Sequence, residues 1–200
     1  GFSYQFDKTK GILTSIDFGE GNLIVDPISP NFWRAPTDND FGYNMQRDWK
    51  QWKEASKTQE VKDFVMTSLG EAEWKETQSS TLEQSSQLKE GKIKDCYAVI
   101  LTSFDLPSIS GIVKLMYVIS QNGELEVIVD LNLSEGSDMT SLPRFGTNFS
   151  IAKKYDQVSY YGRGPHENYQ DRYTSAFVGN YQSTPADLYF PYARPQENGY

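Results

Sequence analysis

Cysteine and histidine are almost missing from this 200-residue sequence: there is one of each, Cys96 and His166. A lone cysteine excludes an internal disulfide, and one Cys with one His cannot supply a structural zinc site. Cys96 opens the apolar run CYAVILTSF and reads as a buried, inert thiol rather than a nucleophile. Long hydrophobic runs are missing too. No segment approaches the roughly 18 apolar residues of a bilayer span, and no leader peptide opens the chain. Positive charge is scarce: 19 Lys and Arg against 27 Asp and Glu leave a net charge of −8, with no basic run longer than two residues. A nucleic-acid surface needs the opposite balance. Phosphate loops, dinucleotide fingerprints and metal motifs are absent as well. Neither nucleic acid nor a membrane is therefore expected as a partner, and no cofactor or metal is assigned to the chain. The compartment is left open between cytoplasm and periplasm for a soluble protein. Gly1-Phe2-Ser3 does not read as a natural start and ENGY carries no stop signal, so both ends are expected to be boundaries within a longer chain.

What is present is apolar and aromatic mass, 38% and 14% of residues, enough for a true core. Aromatic and polar residues alternate at 2–6 and 12–18, with the turn DKTKG between them. Further strand patterns run at 60–69, 95–106, 110–120, 124–133, 144–153 and 157–164, and QNG marks a hairpin turn before residue 124. Such spacing predicts a single antiparallel β-sandwich domain over residues 1–200 rather than a βαβ fold. One helix is expected near 45–56, because Met45, Trp49 and Trp52 share a face and Asn44 can cap its start. The Ser/Gln-rich stretch 76–91 reads as an exposed hairpin or edge.

Three clusters carry unusual chemistry. The first is NFWRAPTDND, residues 31–40, followed by Gly42. Its carboxylates invite a calcium-loop reading, but an EF-hand opening at Asp38 would need Asp or Asn where Gly42 stands and Glu where Trp49 stands. Asp38, Asn39 and Asp40 are expected instead to form a turn, stiffened by Pro36, whose side chains bond local backbone. The second cluster, YYGRGPHENYQDRYTSAFVGNY from 160 to 181, reads as a structured loop once Gly162, Gly164 and Pro165 break the strand, and it puts His166 beside Glu167 with Arg163, Asp171 and Arg172 close in sequence. A His–Glu pair can serve general acid–base chemistry, and the same residues can equally make an ion-paired corner. In the third, YFPYARPQENG from 189 to 199, aromatics precede Gln196, Glu197 and Asn198. This mixture suits a sugar site or a tight proline corner.

NFWRAPTDNDFG, LPRFGTNFSI, YYGRGPHENYQDR and YARPQENG occur in this order across nearly the whole chain. Together they resemble the C-terminal small-chain domain of the large retaining β-galactosidases of glycoside hydrolase family 2. The resemblance implies an all-β fold, a large galactose-mutarotase-like antiparallel sandwich, and a parent enzyme that hydrolyses β-galactosides such as lactose. It also implies that both catalytic glutamates lie upstream on a (β/α)8 barrel of the same polypeptide, leaving no catalytic residue here. Any divalent or monovalent metal ions of the parent would bind that barrel. By the same resemblance Phe41–Asp48 form a loop that opens and closes over the barrel's pocket, with Gly42 as hinge. The pocket and lid candidates are Asp38, Asn39, Asp40, Gly42 and Asn44, and the sugar-facing candidates are His166, Glu167, Gln196, Glu197 and Asn198. The parent is expected to associate into homo-oligomers through such outer domains. The family's domain continues some tens of residues beyond ENG and there supplies an aromatic platform for galactose. This sequence stops at Tyr200, so the sandwich is expected to lack its last strands. Two rival functions use the same residues: an aldose 1-epimerase built on His166 with Glu167 or Glu197, and a stand-alone carbohydrate-binding module built on Tyr189, Tyr192 and Glu197.

Overall fold

β-Branched and aromatic residues recur along the chain, and among the described residues they produce ten strands. The computed structural model describes residues 1–75, 90–136, 139, 141–169 and 171–196; for 68–75 and 90–96 it describes strand pairing alone. The strands are β1 (Ser3–Asp7), β2 (Ile12–Asp17), β3 (Ile24–Asn31), β4 (Glu60–Lys75) and β5 (Glu90–Leu106), then β6 (Gly111–Ser120), β7 (Leu125–Leu133), β8 (Gly146–Ile151), β9 (Val158–Gly164) and β10 (Phe177–Ser183). The fold is all-β and mostly antiparallel, as a β-sandwich reading requires. No helix among the described residues is long and apolar enough to cross a membrane. Two compact units divide the chain, one of residues 1–34 with 48–150 and one of 35–47 with 151–200.

The first unit is organised by a four-stranded sheet in the order β4-β5-β6-β7. Central β6 (GIVKLMYVIS) is buried along most of its length and on both faces. Val113, Leu115 and Tyr117 fill one face with Ile100 and Phe104, and Phe6 of β1 meets Tyr117 edge-on at 5.2 Å. On the other face Met116, Val118 and Val99 form a cluster with Leu101 and Ile128. Burial of such side chains contributes about 1.5–3 kcal/mol each, so the unit rests on hydrophobic packing. The β6–β7 connection is the expected QNG turn, with Gly123 at φ 86° and its amide bonded to Ser120 O at 3.1 Å. A side chain there would collide with Phe2, whose ring stands 2.7 Å from an ideal Cβ, and Tyr4 Oη donates to Gly123 O at 2.6 Å. The β1–β2 hairpin is thereby pinned to this turn.

Helix departs from expectation. In place of one helix over 45–56 there are α1 (Asp38–Gly42), α2 (Met45–Asp48) and α3 (Lys50–Ala55), with α4 (Pro185–Leu188) further on. Asn44 adopts a left-handed φ of 58°, unlike the extended backbone of an N-cap, and Trp49 at ψ 3° separates α2 from α3. The two tryptophans do pack inward: Trp49 and Trp52 are buried, and Trp52 lies 6.0 Å from the Phe32 ring. Ser56 Oγ ties the segment down by accepting from Phe32 N at 2.8 Å and donating to Trp52 O at 3.0 Å. β3 and β10 were not among the expected strands. In β3 two prolines, Pro27 and Pro30, obscure the alternation, and among the described residues this strand pairs with β8 in a two-stranded sheet. β4 and β5 pair as far as Lys75↔Glu90, so the hairpin expected at 76–91 has its flanking strands, while 76–89 lie outside the described residues. The thiol of Cys96 lies outside them too; its backbone pairs with Ser120.

Candidate functional site

The second unit gathers most of the singled-out residues, and its centre is Glu167. Pro165 ends β9, and the chain then folds back on itself so that Tyr169 N donates to Glu167 Oε1 at 2.9 Å. Arg172 Nε donates to Glu167 Oε2 at 2.6 Å, and Tyr192 Oη donates to the same oxygen at 2.5 Å. The guanidinium also holds the Asp171 carboxylate, and it lies over the rings of Tyr169 and Tyr192 at 5.2 and 5.0 Å. Glu167's side chain is only 4% exposed. Burial pushes its pKa up, but the hydrogen bonds from Tyr192, Arg172 and the Tyr169 amide outweigh burial and hold it below the usual carboxylate range. Both oxygens accept from donors on three residues, so the group is a charged clamp and is not poised as a general acid.

Around it the expected ion-paired corner holds in part. Arg172 is engaged by carboxylates, but Arg163 is not: its Nη1 donates to Ala176 O at 2.9 Å and its guanidinium covers the Tyr173 ring at 4.7 Å. The main-chain carbonyl at the buried Ala176 competes successfully for that donor. His166 is exposed, with Nδ1 3.0 Å from Glu167 O. Gln196 is exposed, while Glu197 and Asn198 lie outside the described residues.

The first cluster is helical where a turn was expected. Thr37 caps α1 through a reciprocal box in which Asp40 Oδ2 accepts from Thr37 N at 2.7 Å and from Thr37 Oγ1 at 2.9 Å. Buried Asp40 is therefore a cap. Asp38 N donates to Pro195 O at 3.2 Å, and Arg194 Nη1 reaches Asp38 Oδ2 at 3.1 Å, joining α1 to the YARPQ segment. Asn39, Gly42 and Asn44 are exposed. The Thr37–Asp40 spacing is a legible capping signal; the Glu167–Tyr192 bond spans 25 residues and has no local signature.

Residues 1–200, the whole chain, match the family model of the beta galactosidase small chain. The chain belongs to this small-chain family. The small chain is 30% identical to a beta-galactosidase of Priestia megaterium over 206 residues, 99% of this chain and 16% of that protein. It is 33% identical to one of Actinobacillus pleuropneumoniae over 198 residues, 99% of this chain and 17% of that protein. A beta-galactosidase of Lactobacillus delbrueckii subsp. bulgaricus is 30% identical over 99% of the chain and 17% of its own length. The small chain thus spans about one sixth of the curated relatives it matches.

Glu167 and Tyr192 are hydrogen-bonded to each other, and Glu197, which both rival readings use, lies outside the described residues. Among the described residues no three of His, Cys, Asp and Glu are grouped to hold a metal ion.

Proposed function

We propose that residues 1–200 are a non-catalytic part of a retaining β-galactosidase that releases terminal β-D-galactosyl residues from substrates such as lactose. The observation that carries this reading is the match of the whole chain to about one sixth of proteins named beta-galactosidase. Hydrolysis with retention uses two carboxyl groups about 5–5.5 Å apart, one as nucleophile and one as acid/base. Glu167 and Asp171, the carboxylates of the central cluster, both bind Arg172, which supports placing that pair on a barrel elsewhere in the same polypeptide. In this reading the barrel is the small chain's partner, and the parent associates into homo-oligomers through outer domains.

Phe41–Asp48 serve in the proposal as a lid at the barrel's sugar pocket. Two features suit that role. Phe41 and Tyr43 are 53% and 81% exposed, aromatic tips left uncovered in this chain. The left-handed Asn44 lies between α1 and α2, a joint where a small dihedral change would redirect those tips. Asp38, Asn39, Asp40, Gly42 and Asn44 then position the lid and do no chemistry. The chain and the full-length polypeptide, assayed side by side on nitrophenyl β-galactoside, provide the test. The isolated chain is expected to give no rate above buffer and the full-length protein to hydrolyse. Enzyme-like turnover by residues 1–200 alone would overturn the reading.

A further inference from the structure

The β6–β7 turn carries a reactive pair of residues that the galactosidase reading does not use. Among the asparagines of the chain, Asn122 and Asn198 alone precede a glycine, and Asn198 lies outside the described residues. Asparagine is a thermolabile residue, and glycine has no side chain to keep its nitrogen away from the preceding carboxamide. Ser120–Gly123 make the turn: Gly123 N donates to Ser120 O at 3.1 Å, and Ser120 N donates to Glu124 O at 3.0 Å. Asn122 is exposed at its tip, with the side-chain oxygen held in place. Oδ1 accepts from Ser120 Oγ and, at 3.3 Å, from Glu124 N. Donors on a carbonyl oxygen stabilise the oxyanion that forms when a nucleophile attacks its carbon. The nucleophile at hand is Gly123 N, one residue on. Its bond to Ser120 O withholds it while the turn is closed, but exposed turn tips open at small free-energy cost.

We propose that Asn122–Gly123 is a self-modification site whose product unfastens the β1–β2 hairpin from the β6–β7 turn. In the opened turn Gly123 N gives its proton to solvent and attacks Asn122 Cγ. The N–Cγ bond forms, the Cγ–Nδ2 bond breaks, and the side-chain nitrogen takes up a proton and leaves as ammonia. Water then opens the cyclic imide at either carbonyl, leaving aspartate or isoaspartate at 122. In isoaspartate the main chain runs through the former side chain and is one carbon longer. The closed turn does not accommodate that length. Gly123, at φ 86°, sits so close to β1 that a Cβ there would stand 2.7 Å from the Phe2 ring, and its carbonyl accepts from Tyr4 Oη at 2.6 Å. A longer path from Ser120 to Glu124 displaces Gly123 and breaks both alignments. The inference is independent of the galactosidase reading, since it needs only the turn and the hairpin.

Ageing the full-length polypeptide in mildly alkaline buffer tests this, with isoaspartate located by peptide mass mapping. It should accumulate at 122 about tenfold faster than at Asn22 and Asn148, which are exposed and followed by Leu23 and Phe149. Asn122→Gln keeps a carboxamide on a longer side chain and should abolish the reaction at that position. In the modified fraction, amides of β1 and β2 should exchange about tenfold faster than in fresh protein. Freshly prepared Asn122→Asp has the new charge without the longer main chain, and its exchange there should stay within about twofold of the unmodified protein. Isoaspartate appearing at 122 no faster than at 22 and 148 overturns the site. Accumulation with unchanged exchange in β1 and β2 overturns the release of the hairpin. Equal loss of protection in Asn122→Asp assigns the release to charge and overturns the main-chain argument.

Discussion

The two compact units solve the folding problem by different means. Around β6 the first unit removes Leu115, Val113 and Tyr117 wholly from water, with Thr102, Ser103 and Lys114 buried among them. The second has a carboxylate at its heart, clamped by Arg172, Tyr192 and an amide, while Tyr161, Phe177, Tyr189 and Phe190 stay largely in solvent. Hydrophobic burial is non-directional and tolerant; a charged cluster demands geometry and loses much when one member is removed.

The largest effects should separate the units. Leu115→Ala leaves a cavity at the centre of the sheet and should cost about 3 kcal/mol in chemical denaturation. Arg172→Met strands the buried Glu167 carboxylate with fewer donors, a loss of about 2 kcal/mol. Amide exchange reads where each loss falls. The first is expected to raise exchange in β5–β7 and the second around residues 163–176. If either variant raised exchange equally in both regions, the two units would be unfolding as one and the contrast between them would fail.

Acid provides a gentler probe of the same clamp. Glu167 has a folded pKa below its ordinary value, so its contribution is fully present above the usual carboxylate range and is lost as pH falls through the depressed folded value. Stability should thus be flat near neutrality as far as this group is concerned and decline in acid. Glu167→Gln should lower stability at neutral pH and flatten the acid decline. An unchanged slope in melting temperature against pH would show that the clamp does not govern the second unit.

At the edge of that unit, Asp40→Ala removes the acceptor for Thr37 N and Oγ1 and should cost about 1 kcal/mol. Urea denaturation checks it. A loss below a few tenths would mean that the Asp38 contacts to Pro195 and Arg194 hold α1 without its cap.

The sheet of the first unit was legible because β5 and β6 are rich in β-branched and aromatic residues, because β7 (LEVIVDLNL) sets polar among apolar residues, and because QNG marks the turn between β6 and β7. The short helices were less so. Trp49 and Trp52 announce a buried helical face, but the break at Asn44 and Trp49 is set by tertiary packing that no local propensity reports. β10 was missed because the cluster of residues 160–181 read as a structured loop once Gly162, Gly164 and Pro165 had broken the strand, and β10 (Phe177–Ser183) begins inside that stretch. His166 and Glu167 stood out as an acid–base pair by adjacency. What their carboxylate does depends on Tyr192, far along the chain, so only folding could decide between catalysis and a clamp.

Gly42 should show the smallest effect on stability and the sharpest test of the lid. It closes α1 without a positive φ, and a methyl group added there would find no atom within 4 Å. Gly42→Ala therefore introduces no strain and should leave the fold unchanged or stabilise it by up to about 0.5 kcal/mol, through lost freedom in the unfolded chain. In the full-length protein the same change stiffens the joint next to the exposed Phe41 and Tyr43. If residues 41–48 move during turnover, kcat and KM for lactose should shift together, because open and closed populations change rather than contacts with substrate. Steady-state kinetics at matched stability are the measurement. Unaltered constants would remove Gly42 as the hinge, and Asn44, held at φ 58°, would be the next joint to test. There Asn44→Ala should cost about 1 kcal/mol, since few side chains tolerate that left-handed backbone as asparagine does.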